Sequence, residues 1–258
     1  MKKPTIALAL CTALLLTACG NNDKDRSDRL PSDPERPRIN TRDYDSRQAY
    51  HGTAYSLPSQ RARVDNRYLH ALNSNQLDTL NLDSKSLPSH QAGIYTGGVP
   101  RLQARQTITV AGKSYQNFLI SGDDYQNSRF GYLSHDGHDY IFSQGAFTRN
   151  MPNRGSARYE GEAVIGRDGS ADVGKASFRA DFGARTVSGR ITPEDNSRVY
   201  FNPLNIDARI DGNAFYSDSD DRVSSSGHFY GDSAREIGGV FHDNSQNLRG
   251  SFGAKRDD

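Results

Sequence analysis

Residues 227–256 read GHFYGDSAREIGGVFHDNSQNLRGSFGAKR, and the spacing of their apolar and small residues decides the fold. Gly227, Phe229 and Gly231 fall on one side of an extended chain, and Leu248, Gly250, Phe252 and Ala254 repeat that two-residue period near the end. Between them, Glu236-Ile237-Gly238-Gly239-Val240-Phe241 reads as a third strand. Its paired glycines suit a tightly curved sheet in which backbones approach closely or a bulge is needed. A chain that closes on such strands is expected to form a β-barrel.

The same period runs upstream. Tyr159, Gly161 and Ala163 alternate with Arg158, Glu160 and Glu162, and Arg167-Asp168-Gly169-Ser170 turns the chain. Ala176, Phe178, Ala180 and Phe182 form one inward row, Val187, Gly189 and Ile191 the next. Ile206, Ala208 and Ile210 form another, opposite Asn205, Asp207, Arg209 and Asp211. Small inward residues mixed with Phe suit a narrow barrel interior. One-sided burial also pins the register, since a slip of one residue would put Phe178 into water.

Composition agrees with strands. Only 34% of the 258 residues are apolar, aromatics lean on 13 Tyr and 11 Phe, Trp is absent and Gly numbers 24. The formal charge of +1 favours neither nucleic acid nor an anionic membrane as a partner.

The N-terminus reads as an export signal. Met1-Lys2-Lys3 is a positive n-region, residues 6–16 an apolar core, and Leu16-Thr17-Ala18-Cys19 a lipobox-like cleavage site. A core of eleven residues falls short of the roughly 20 that span a bilayer. Residues 1–18 are therefore expected to be a lipoprotein signal peptide and Cys19 the lipidated first residue of a mature chain without a disulfide. Residues 19–50 are expected to be a disordered tether: between 21 and 50, 14 of 30 residues are charged, seven of each sign, with three prolines. Residues 51–150 are expected to form a small β-rich domain. Its 51–90 part is the least legible, with Tyr68, Leu69 and Leu72 suggesting a short helix. Residues 107–110 and 115–120 read as a hairpin around Ala111-Gly112-Lys113, and residues 129–133 and 140–142 as a second. Residues 151–258 make the barrel domain.

The barrel segment resembles a known family. The Tyr-x-Gly-x-Ala step at Tyr159, the Asp181-Phe182 dipeptide and the Val-x-Gly-x-Ile step at Val187 come first. Phe229-Tyr230-Gly231, Ala234, Glu236, Gly238-Gly239, Phe241 and the terminal Phe252-Gly253-Ala254-Lys255-Arg256 follow. Together these are similar to the barrel domain of transferrin-binding protein B and related Gram-negative surface lipoproteins, among them factor H binding protein. Asp232 departs from the proline the family often carries there. The resemblance implies an all-β chain whose C-terminal barrel is eight-stranded and antiparallel. It further implies an outer-membrane, surface-exposed, non-enzymatic lipoprotein that binds a host macromolecule: transferrin or haemoglobin for iron or haem, or a complement regulator.

Sites are sparser. No G-x-x-x-x-G-K-[ST], G-x-G-x-x-G, H-E-x-x-H or G-x-S-x-G motif occurs, and no catalytic residue is expected. Glu236, beside inward apolar residues, reads as a structural carboxylate or an acid of raised pKa. Ser134-His135-Asp136-Gly137-His138-Asp139 places two imidazoles at a hairpin tip, where they could ligate haem iron, relatives of the family being haem-capturing proteins. The plainer reading is a solvated turn, and with no third fixed ligand no metal-ion site is expected. Protein-binding contacts are sought among the aromatic and arginine side chains of the N-terminal domain: Tyr95, Arg101, Arg105, Tyr125, Arg129, Phe130, Tyr132, Phe147 and Arg149. With His135 and His138, Tyr132 and Arg129 are the chosen ligand-binding candidates.

Overall fold

The computed structural model describes residues 36–90, 97–100 and 107–257. Cys19, Tyr95, Arg101 and Arg105 lie outside them, as does the expected signal peptide. Nine strands come first: β1 (Tyr50–Pro58), β2 (Leu69–Ser74), β3 (Thr79–Leu82), β4 (Lys85–Pro88), β5 (Ile108–Val110), β6 (Lys113–Tyr115), β7 (Asn117–Ile120), β8 (Ser128–His135) and β9 (His138–Gly145). Eight follow: β10 (Ser156–Arg167), β11 (Ser170–Asp181), β12 (Thr186–Pro193), β13 (Leu204–Asp211), β14 (Ala214–Tyr216), β15 (Ser224–Tyr230), β16 (Glu236–Asp243) and β17 (Leu248–Arg256).

The last eight close into an antiparallel barrel, β17 pairing with β10 from Tyr159↔Arg256 to Gly166↔Arg249. Its interior is the expected one: Phe178, Phe182, Ile206 and Phe252 are buried in one cluster with Ala176, Ala180, Val187 and Ile191. Alternation of apolar and charged residues is cleanest on β13, which has one face on the core and one in water.

Strands β2-β1-β9-β8-β7 form a five-stranded sheet in that order, and β3–β4 and β5–β6 are separate hairpins. One face of the sheet, with Tyr55, Leu57, Phe130, Tyr132 and Ile141, packs with Val164, Val173 and Val240 of the barrel. The other face, with Ala54, Leu72, Leu133, Tyr140 and Phe142, packs with Leu80, Leu82 and Leu87 of the β3–β4 hairpin. Double burial explains why β1 escapes a period-two reading: six consecutive residues, 52–57, are buried. The helix expected around Tyr68, Leu69 and Leu72 is not formed. Asn66–Tyr68 makes a single 3-10 turn capped by Asp65, and Leu69–Ser74 then joins the sheet, with Leu72 opposite Gly52. Residues 107–120 also differ from the expected single hairpin: β6 pairs with β5, but β7 leaves it to join β8.

The contact between sheet and barrel is close because glycines line it. A Cβ on Gly253 would lie 2.3 Å from the Phe130 ring, and one on Gly166 would lie 2.2 Å from that of Tyr132. Buried polar groups then fix the mating. The Arg249 guanidinium, 3% exposed, pairs at 2.9 Å with Asp139, which is fully buried, and donates to the carbonyls of Arg61 and Ser59 at 2.6 and 2.8 Å. Asp139 also accepts from Ser59, Ser134 and Tyr132, so none of this charge is left unmatched. Burial works against the Arg249 charge, but Tyr132 and Asp139 outweigh it and hold its pKa above the ordinary value.

Residues 36–49, inside the segment expected to be a tether, lie on the barrel. Arg38 pairs with Asp211 at 2.5 Å and sits 5.3 Å from the Tyr216 ring centroid, and Arg36 pairs with Asp218 at 3.4 Å.

Candidate binding surface

The four candidate side chains of the N-terminal domain end in two places. His135 and His138 are direct cross-strand partners on either side of the Asp136-Gly137 turn, whose two residues have φ of 51° and 71°. His135 Nδ1 lies 2.8 Å from the Ser114 carbonyl oxygen, Nε2 lies 3.2 Å from Asp136 Oδ2, and one ring face is tilted 5.1 Å from Tyr115. His138 Nδ1 is 3.4 Å from the Asp136 carbonyl and its ring stacks on Tyr140. Both imidazoles are thus engaged with their own domain. Among the described residues no group of three or more His, Cys, Asp or Glu is placed to hold a metal ion.

Tyr132 and Arg129 are not surface residues. Tyr132 has no exposed area; its hydroxyl donates to Asp139 at 2.5 Å and accepts from Arg249 Nε at 3.3 Å, and burial first, then Asp139, raises its pKa. Arg129 is buried, donates to the Tyr125 and Ser128 carbonyls and pairs with Asp78 at 3.2 Å. Both therefore belong to the frame rather than to a contact surface. Tyr125 and Phe130, buried against Gly253, belong to it as well. Aromatics read as contact residues are spent on mating sheet to barrel, because each must cover apolar area that the other exposes. Glu236 is the structural carboxylate: it accepts from Asn127 N, Asn127 Nδ2 and Ser128 Oγ at 3.0, 2.9 and 2.6 Å, clamping the β7–β8 loop onto the barrel.

A residue that the alternation did not single out stands out instead. Tyr200, between β12 and β13, is 72% exposed, the single large hydrophobic side chain so exposed among the described residues. Its neighbours Val199 and Phe201 are buried in the barrel core, which turns Tyr200 outward. The backbone around it is fastened: Arg198 N and Ser197 Oγ donate to Asp172 Oδ2 at 2.6 and 3.3 Å, and Asn202 N donates to Gln246 Oε1 at 2.9 Å. Antiparallel connectivity puts this loop at the same barrel end as the β10–β11 and β16–β17 turns. These are joined by Asn247 to Asp168 at 2.6 Å and met by Asn117 of β7, which donates to the Gly169 carbonyl at 3.2 Å. The end is thus a composite of barrel turns and N-terminal domain, and Tyr200 stands exposed on one of its loops, on a backbone held by hydrogen bonds. Its signal in the sequence was Val-Tyr-Phe before Asn-Pro: three bulky residues in a row, of which a one-faced wall can hide only alternate ones.

Residues 151–256 match the family model described as the C-lobe and N-lobe β-barrels of transferrin-binding protein B. An uncharacterised protein of Haemophilus influenzae is 25% identical over 222 residues, covering 80% of this chain and 75% of that one. Transferrin-binding protein B of Moraxella catarrhalis is 28% identical over 187 residues, covering 60% of this chain and 26% of that protein. In structure, isotype 1 transferrin-binding protein B of Neisseria meningitidis superposes with a TM-score of 0.55 at 21% identity, covering 80% of this chain and 43% of the other; that likeness is one of fold. The chain spans about a quarter of the Moraxella relative and under half of the Neisseria structure. Residues 151–256 are thus similar in sequence to the β-barrels of transferrin-binding protein B, and the sheet-plus-barrel architecture of the chain is similar to that protein in fold.

Proposed function

We propose that this chain is an outer-membrane surface lipoprotein, acylated at Cys19, that binds a host macromolecule through its barrel loops and N-terminal domain, in the way its relatives are named for binding transferrin. The observation that carries this reading is the match of the barrel to transferrin-binding protein B, together with one barrel end that presents an exposed tyrosine on a fixed backbone. A rigid aromatic side chain loses little entropy on binding and buries a large area, the usual physics of a hot spot. No bond is made or broken in such a role; the barrel serves as the scaffold.

The test is surface plasmon resonance of the chain from residue 20 against transferrin, haemoglobin and complement factor H, each immobilised. Saturable binding to one of them is expected, weakened at least about tenfold in Tyr200→Ala, since hot-spot truncations cost about 2 kcal/mol or more. The melting temperature should change little, because Tyr200 is 72% exposed. Absence of binding to all three would remove the reading. A haemin titration separates the carrier alternative: a Soret band lost in the His135→Ala, His138→Ala double variant would assign haem to the hairpin tip instead.

A further inference from the structure

Residues 36–49 are held to the barrel by an aromatic cluster that joins four parts of the chain. Tyr44 from this segment meets His51 of β1, Phe147 of the junction and His228 of β15 edge-on, at centroid distances of 5.8, 5.1 and 5.5 Å. Phe147 stacks on His228 at 4.3 Å and lies 5.1 Å from His51. Tyr44 Oη and His228 Nε2 are 3.2 Å apart, whereas His228 Nδ1 is buried with no hydrogen-bond partner, and the ring is only 3% exposed. The segment's backbone is pinned at the same place, Asp45 N donating to Asn73 Oδ1 at 2.7 Å, and that amide oxygen is also 3.0 Å from His51 Nδ1.

We propose that residues 36–49 are a releasable strap, which the neutral His228 imidazole holds on the barrel through Tyr44 and Phe147, and which protonation of His228 sets free. A second proton on His228 would put a cation in an aromatic pocket with one ring nitrogen unmatched. The groups packed around it cannot compensate. From the strap comes the Tyr44 hydroxyl, from β1 the His51 imidazole, from its own strand Tyr230, and from the junction the uncharged Phe147. The register neighbours on β14 and β16 are Ala214 and Gly238. The acids nearby are already engaged: on the strap Asp43 lies beside Tyr44 and Asp45 is bound to Arg47 at 2.8 Å, and on β16 the buried Glu236, opposite Tyr230, accepts from Asn127 and Ser128.

Burial first, then His51, pushes the His228 pKa down from 6.5 to about 3. A base with a lowered folded value is neutral when docked, so docking is favoured in full above pH 6.5 and loses ground as pH falls. Lifting Tyr44 uncovers Nε2, and the released form then gains on the docked form as pH falls below 6.5, by at most about tenfold per pH unit, which is roughly thirtyfold at pH 5. Release also changes reach: 14 residues freed from the barrel add up to about 45 Å to whatever tether precedes them.

The device is tested on the intact chain by hydrogen–deuterium exchange at pH 7.5 and pH 5, with rates corrected for intrinsic exchange and referred to barrel strand β17. Exchange across residues 36–49, with the Asp45 amide as the reporter, should rise at least about tenfold at pH 5 in the wild type. In His228→Gln, which keeps a partner for Tyr44 but does not titrate, it should stay slow at both pH values. His228→Phe, which keeps the stacking on Phe147, provides a second non-titrating variant should the first fold poorly. Equal wild-type exchange at the two pH values would overturn the proposal, and so would an equal rise in the variants.

Discussion

Phe178 on β11 offers the sharpest test of the barrel interior. Its ring is 4% exposed, stacks on Phe252 at 4.5 Å between centroids, and lies over Gly189 of the neighbouring strand. A Cβ on Gly189 would come within 2.2 Å of two Phe178 ring carbons, so glycine is the residue that leaves the ring its place. Phe178→Ala removes that ring from a wall that cannot collapse without bending β11, and should cost about 3–5 kcal/mol. For a folded unit of this size that is about 6–20 °C in melting temperature. Gly189→Ala should itself be destabilising, by about 1–3 kcal/mol, because the added methyl overpacks against the ring. In the Phe178→Ala background the same methyl enters vacated space and stiffens a strand glycine, so there it should be neutral or stabilising by up to about 1 kcal/mol. The assay is urea unfolding followed by far-ultraviolet circular dichroism on all four members of the cycle. An unchanged midpoint for Phe178→Ala would put Phe178 on the outer face. A Gly189→Ala cost that is the same in both backgrounds would refute the packing of ring on glycine.

Arg249→Met leaves the Asp139 carboxylate buried without its cation and should cost about 3–5 kcal/mol in the same assay, with much of the loss recovered in Arg249→Met, Asp139→Asn; a stable single variant would show the pair to be dispensable. His242 on β16 has its pKa pushed down to about 4, chiefly by burial, and its Nδ1 lies 3.0 Å from the Tyr55 hydroxyl. The fold therefore holds His242 neutral while the unfolded chain binds a proton below pH 6.5. Stability is present in full above that pH and declines as pH drops toward 4. Thermal melts across this range should show the decline, and His242→Gln should reduce its slope; an unaltered slope would assign the pH dependence elsewhere.

Much of the barrel is legible because its strands β10–β13 each have one face in water: Phe178, Phe182, Ile206 and Ile210 alternate with charged or hydroxyl residues along most of their length. Strands β1, β8 and β9 of the sheet and β16 of the barrel are covered on both faces, so their sequences lack the alternation that makes β13 legible. The same cause misdirected the search for a site. Tyr132, Tyr125 and Phe130 look like contact residues until the barrel is laid over them, Arg129 until Asp78 and the Tyr125 and Ser128 carbonyls take up its guanidinium, and the arginines of residues 36–49 look like a solvated linker until Asp211 and Asp218 arrive from 170 residues or more downstream.

By itself the sequence determined what depends on neighbours two residues apart: that the chain is extended, which side of each exposed-face strand is apolar, and, from its motifs, to which family the barrel is similar. Only the tertiary structure decided which polar and aromatic groups are consumed in joining sheet to barrel and which one, Tyr200, is left in water. The physical reason is that exposure is a property of what lies opposite a side chain. For Tyr132, Arg249 and His228 that neighbour comes from more than 100 residues away.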